Sequence, residues 1–178
     1  MSGAPSSDPP VTSWQRDIHA VFGDMRIEQV GYVPDAGHTG LIELCQSDPA
    51  IEATVLTTEE EGIGLLAGAW LGGQRGALLM QSSGVGNCVN MLATAVTCRV
   101  PMLFVVTMRG EWQEFNPWQE PMGGASQDVL ERMGTVVRRA EAAGEAGATV
   151  RAAADDAFGG DRQAAVLIAQ RLIGAKQW

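Results

Sequence analysis

The sequence predicts an α/β protein built on an open, mostly parallel six-stranded sheet with helices on both faces. Three observations carry this. Short apolar runs alternate with helical stretches along the chain, the pattern that βαβ units leave in a sequence. The runs Ala77-Leu78-Leu79-Met80 and Met102-Leu103-Phe104-Val105-Val106 are continuously apolar with no period of two, as strands covered on both faces must be. Most of the links between segments are short.

Each element has its own signal. Ser13 is positioned to cap a helix over 14–22, in which Trp14, Ile18, Val21 and Phe22 share one face. A strand over 27–33 stops at Pro34, and the loop 35–40 leads into a short helix carrying Leu41, Ile42, Leu44 and Cys45. A strand over 53–56, a helix over 59–72 and a strand over 77–81 follow. Next come a Gly-rich turn over 81–87, a helix over 87–98 and a strand over 102–107. A long loop to Ser126, a helix over 127–133, a strand over 135–138, a helix over 149–158 and a strand over 164–169 complete the pattern. The Ala/Gly/Glu stretch 140–148 reads as a connector. The domain occupies 13–178, behind a Ser/Pro-rich leader over 1–12 expected to be disordered.

Twelve Lys+Arg against 21 Asp+Glu give the 178-residue chain a net charge of -9, which repels phosphate backbones and anionic lipid. Nucleic acid and membrane are excluded as partners on that ground. No apolar stretch approaches the roughly 20 residues a bilayer crossing needs, and residues 1–10 lack the basic start and apolar run of a signal peptide. A cytoplasmic location is the expectation. Cys45, Cys88 and Cys98 show no ligand spacing and are expected to be buried thiols; with His19 and His38 the only histidines, no metal site is predicted.

In an open parallel sheet the functional loops lie at the carboxyl ends of the strands. Two stretches there are chemically unusual. Glu59, Glu60 and Glu61 open a helix in which Gly64, Gly68 and Gly72 recur every fourth residue. Thr58 with Glu61 has capping-box spacing, and acidic residues suit a helix N-terminus. The glycines cost about 1 kcal/mol each relative to Ala unless another backbone approaches closely, as in helix–sheet packing. The second stretch, Gln81-Ser82-Ser83-Gly84-Val85-Gly86-Asn87, joins a buried strand to a helix and offers backbone N–H groups to a ligand. It is no dinucleotide fingerprint, because Val89 stands where the third glycine belongs, and no Gly-Lys-Ser/Thr phosphate loop occurs.

Taken together, Val33-Pro34-Asp35, the segment Glu59 to Trp70, Met80 to Asn87, Arg109-Gly110, Gln119 with Pro121-Met122-Gly123, and Val166 to Lys176 resemble the pyrimidine-binding domain of thiamine diphosphate enzymes. The nearer likeness is to the sulfopyruvate decarboxylase α subunit and the matching half of phosphonopyruvate decarboxylase. The resemblance implies a 2-oxoacid decarboxylase in which a helix-opening glutamate bonds N1′ of the aminopyrimidine and so promotes loss of the thiazolium C2 proton. Gly64 and Gly68 follow Glu59 by the family's five and nine residues, which favours Glu59 over Glu60 for that role. It also implies that Ser83, Gly84, Val85, Gly86 and Asn87 line the pyrimidine pocket. Where several relatives carry a polar group two residues after the proline, this chain has Ala36; His38 is then the nearest group to bind an anionic substrate or relay a proton, unless it is a plain loop-tip histidine. Arg109 is a candidate for an anionic tail or for an interface.

Complete enzymes of this kind hold Mg2+ and the diphosphate with a Gly-Asp-Gly…Asn motif, and this sequence contains no Gly-Asp-Gly. A separate β subunit is therefore expected to supply the diphosphate-binding domain, in an α2β2 assembly or a multiple of it. The glycine-striped helix and the loop carrying Trp112, Phe115 and Trp118 are the surfaces expected to bury there. The alternative is a non-catalytic small-molecule-binding or regulatory subunit of the same fold.

Overall fold

The computed structural model describes residues 12–174. The expected leader, apart from Thr12, lies outside the described residues. Six strands, β1 (Ile27–Tyr32), β2 (Glu52–Val55), β3 (Arg75–Gln81), β4 (Met102–Thr107), β5 (Val136–Ala140) and β6 (Gln163–Ile168), form one sheet in the order β2-β1-β3-β4-β6-β5. Every neighbouring pair is parallel. β4 and β6 are buried at every residue, as continuous apolar runs require.

Among the described residues seven helices cover the sheet: α1 (Ser13–Met25), α2 (Thr39–Ser47), α3 (Glu59–Leu71), α4 (Ser82–Thr97), α5 (Glu120–Arg132), α6 (Ala146–Gly160) and α7 (Gln170–Ile173). Phe22, Ile18 and Trp14 of α1, Leu41 of α2 and the alanine face of α6 make one core with the sheet. Ile63 and Leu66 of α3, Val85, Cys88 and Leu92 of α4 and Leu130 of α5 make the core on the opposite face. Strand order reverses at β1, whose neighbours are β2 on one side and β3 on the other. The loops after β1 and β3 thus leave in opposite directions and open a crevice at their carboxyl ends, where ligands of open parallel sheets bind.

The structure departs from the sequence reading at several ends. α1 is capped at Thr12, whose N–H donates to Gln15 Oε1 at 2.9 Å, in place of Ser13. Residues 82–87 are the first turns of α4 and not a turn before it, with extended Gln81 as the cap. α5 starts at Glu120, so the long loop ends near Asn116 and a short 3-10 turn follows over Pro117–Gln119. The connector 140–148 contains the end of β5 and the start of α6. Cys45 and Cys88 are buried, but Cys98, at the end of α4, is exposed.

The glycine stripe does not pack inside the chain. A Cβ at Gly64 or Gly68 would stand in open space, and it is Gly62 whose missing side chain makes room for Leu78 of β3. Helix–sheet packing is therefore not the reason for Gly64 and Gly68.

Candidate functional site

The N-termini of α3 and α4 meet at the carboxyl end of the sheet. Of the three glutamates opening α3, Glu59 alone is buried, at 7% exposure, while Glu60 and Glu61 face solvent. Asn87 Nδ2 donates to Glu59 Oε2 at 2.8 Å. Among the described residues no hydrogen bond to Oε1 is formed. The carboxylate occupies the space that Gly84 leaves on the first turn of α4, where a Cβ would come within 2.6 Å of Glu59 Cγ. Gly84 is thus a close-approach glycine, and its helix-propensity cost is offset by the carboxylate it admits. Glu61 does reach back, but to the N–H of Thr57 at 2.9 Å, one residue before the expected cap.

Ser83, Gly84, Val85, Gly86 and Asn87 run round the first turns of α4 and do not share one face, and Gly84 and Asn87 are the two that meet Glu59. Gly86 and Asn87 are exposed, whereas Val85 is fully buried and points into the core. Cys88, one turn on from Gly84, has its thiol pushed up to about 12 by burial and by the charges of Glu59 and Glu60, so it stays a thiol.

His38 turns inward and does not face the crevice. It is 0% exposed, and its Nε2–H is shared between the carbonyls of Met80 on β3 at 3.2 Å and Val105 on β4 at 3.1 Å. Nδ1 is buried without a partner. Burial lowers its pKa, against the opposing influence of Asp35 and the two carbonyl bonds. An enclosed neutral ring is a poor receptor for an anion, and its position suits tying the loop after β1 to β3 and β4. The unfolded chain takes up a proton near pH 6.5 and the folded chain only at lower pH. Stability contributed by neutral His38 is therefore complete above about 6.5 and declines as pH falls below it. Urea midpoints measured from pH 7.5 to 5 are expected to fall less steeply for His38→Gln, which keeps an N–H donor, than for the wild type; equal slopes would refute the assignment.

Arg109 is not free to meet a substrate. It is 8% exposed, and Glu114 grips it through Nε at 2.8 Å and Nη2 at 2.5 Å. Burial alone pushes the Glu114 carboxyl up, but the Arg109 bonds, the N–H groups of Asn116 and Gly110 and the Gln170 amide pull it down to about 2. This clamp rigidifies the loop 108–116. Gly110, at φ 75°, lets the same loop pass within 2.6 Å of Glu120 Cα, measured from where its Cβ would be.

Four site residues escape the sequence reading of roles: Asp35, Gln81, Thr107 and Gln119. Gln81 Nε2 donates to Asp35 Oδ1 at 3.0 Å and Thr107 Oγ1 donates to Asp35 Oδ2 at 2.5 Å. Gln81 Oε1 accepts from Ser83 Oγ at 2.8 Å and from Gln119 Nε2 at 2.9 Å. The three loops after β1, β3 and β4 are thereby knotted beside Glu59. Asp35, Gln81 and Gln119 are themselves among the residues carrying the family likeness. The described residues contain no group of three or more side chains able to hold a metal ion, and none of their helices is long and apolar enough to cross a membrane.

No protein-family model matches the chain. Over 152 residues it is 34% identical to sulfopyruvate decarboxylase subunit alpha of Methanothermobacter thermautotrophicus, covering 85% of this chain and 92% of that one. The α subunit of Methanocaldococcus jannaschii is 36% identical over 115 residues, 64% of this chain and 68% of the relative. Phosphonopyruvate decarboxylase of Streptomyces viridochromogenes is 34% identical over 117 residues, which are 65% of this chain but 30% of that longer protein. Among solved structures, a 2-oxoglutarate:ferredoxin oxidoreductase from Magnetococcus marinus superposes with a TM-score of 0.74 over 97% of this chain and 31% of its own, at 14% identity. That last likeness is one of fold.

Proposed function

The chain belongs to the sulfopyruvate decarboxylase α-subunit family, and on that premise we propose that it is the α subunit of a two-subunit, thiamine diphosphate-dependent decarboxylase of small 2-oxoacids. The observation that carries the reading is the buried Glu59 carboxylate, with Oε2 held by Asn87 and Oε1 left open against Gly84. Such a carboxylate suits a ring nitrogen that must share a proton. Bound there, the cofactor supplies an electron sink for the carbon–carbon bond that breaks as carbon dioxide leaves. Glu59 holds or yields the proton at the ring nitrogen, Asn87 fixes its orientation, and Ser83, Gly84 and Gly86 provide a small-residue wall that admits a flat ring.

Mg2+ and the diphosphate are assigned to a β subunit, in keeping with the missing Gly-Asp-Gly and with relatives that are longer single chains matched over a third of their length or less. The surface for that partner is the outward side of α3 and α4. Gly64 and Gly68 stand open there, Leu71 is 84% exposed, and α4 carries no charged side chain in 16 residues, in a chain whose net charge is -9. Phe115, exposed on the clamped loop, and Trp118, exposed on the 3-10 turn that follows it, extend it with aromatic anchors. An α2β2 unit or a multiple and a cytoplasmic setting complete the proposal; three free thiols suit a reducing compartment.

The test is to co-express the chain with a β-type partner carrying Gly-Asp-Gly…Asn and screen 2-oxoacids bearing sulfonate, phosphonate or neutral tails for carbon dioxide release. Turnover is expected only with both chains and added Mg2+ and cofactor, and the chain alone is expected to bind cofactor weakly by calorimetry. A pure complex that binds cofactor and releases carbon dioxide from none of the acids would favour the non-catalytic reading.

A further inference from the structure

The hydrogen bonds around Gln81 have a direction that one residue imposes. An ionised carboxylate only accepts, so Asp35 obliges Gln81 to aim its amide nitrogen at it, 3.0 Å away, and to turn Oε1 the other way. Two donors converge on that oxygen, Ser83 Oγ at 2.8 Å and Gln119 Nε2 at 2.9 Å. Gln119 must therefore turn its own Oε1 away from Gln81, and that oxygen is buried with no partner among the described residues. Thr107 closes the other side of Asp35 at 2.5 Å, and the main-chain oxygen of Asp35 accepts the N–H of His38 at 3.0 Å. Ser83 lies in the first turn of α4, next to the Gly84 that receives Glu59.

We propose that Asp35 is a positioning residue of this site: through Gln81 it fixes the Ser83 hydroxyl and the Gln119 amide, sets the first turn of α4 against Glu59, and reserves Gln119 Oε1 as an acceptor for a hydrogen-bond donor on the bound ligand. The inference rests on the functional reading above, because it gives the relay a reaction to serve. The carboxylate and carbonyl of a 2-oxoacid carry acceptors only, so the donor that fills this position belongs to the cofactor or to a bound water and not to the reacting end of the substrate. Asp35 touches neither directly.

The relay can be broken and then restored. In Gln81→Glu two carboxylates face each other across the 3.0 Å contact with Asp35, and the new side chain turns away from Ser83 and Gln119. Asp35→Asn alone leaves the relay in place, because the Thr107 hydroxyl accepts from the new amide and turns its own proton to the Met80 carbonyl, 3.4 Å away. Combined with Gln81→Glu it restores the original sense, since the amide introduced at position 35 donates to a carboxylate that again accepts from Ser83 and Gln119. In the reconstituted complex, Gln81→Glu is expected to lower kcat by about 10- to 100-fold with the KM for the 2-oxoacid little changed. The double variant is expected to recover to within about threefold of wild type. Wild-type kcat in Gln81→Glu, or a double variant no better than Gln81→Glu, would overturn the proposal.

A second readout does not need activity. In the 15N-labelled full chain the Gln119 side-chain amide protons are expected to exchange slowly in wild type, quickly in Gln81→Glu, and slowly again in the double variant. If the wild-type complex turned over no 2-oxoacid, the functional reading would fail while these exchange rates still decided the relay: unchanged exchange in Gln81→Glu would sink it.

Discussion

Glu59→Gln is expected to slow C2 proton exchange of thiamine diphosphate in the α/β complex by about 10²–10⁴-fold, the usual worth of a positioned acid–base group. The substitution is nearly isosteric. Its remaining carbonyl oxygen can still accept the 2.8 Å bond from Asn87 Nδ2, so the unfolding temperature should hardly move. What is lost is a group able to exchange a proton with the ring nitrogen, because an amide nitrogen there donates without ever releasing. Glu60 provides the internal comparison: it lies one residue along and faces solvent, so Glu60→Gln should leave exchange within a few-fold of wild type. Wild-type exchange in Glu59→Gln would remove the residue from the chemistry.

The contrast between Glu59 and His38 shows what a sequence can and cannot disclose. Glu59 is legible because its role is tied to a local spacing: Gly64 and Gly68 follow on the same helix, and the Ser83–Asn87 segment follows the next strand. His38 reads as a loop residue open to substrate, yet it is 0% exposed. The reason is a pair of carbonyls, Met80 of β3 and Val105 of β4, that come within reach of one ring nitrogen once the two strands are side by side. Those partners are 42 and 67 residues away, and nothing near His38 announces them. The Asp35–Gln81–Gln119 relay is hidden for the same reason, with partners 46 and 38 residues apart, whereas the Arg109–Glu114 pair is only five residues apart and is hidden by the irregular loop that carries both.

The fold itself is more legible, since a buried parallel strand writes its burial into a continuous apolar run. Two of the misplaced helix starts fall where glycine reads as a breaker. Gly84 and Gly86 suggest a turn before α4, and Gly123 with Gly124 after Pro121 hide the start of α5. In both helices glycine serves proximity: Gly84 admits the Glu59 carboxylate, and Gly123 passes directly beneath the Arg109 carbonyl. Proline at the start of α5 sits where its missing N–H costs nothing.

Gly84→Ala should also separate activity from stability, and without touching the carboxylate itself. A methyl there collides with the Glu59 side chain, 2.6 Å from Cγ and closer still to the carboxylate, which supplies its three nearest atoms. The collision is relieved by displacing one side chain, and Ala is better than Gly in a helix by about 1 kcal/mol, so the unfolding temperature is expected to hold or rise slightly. Exchange at C2 is expected to fall by about 10²-fold, because the carboxylate leaves the position that Asn87 and Gly84 define for it. The mechanism predicts non-additivity. If Gly84→Ala acts by moving Glu59, it should cost little more once Glu59→Gln has already removed the proton, whereas an effect acting elsewhere in the pocket should multiply with that of Glu59→Gln in full. Measuring both singles and the double therefore tests the glycine and the glutamate as one unit, and full multiplication of their effects would separate them.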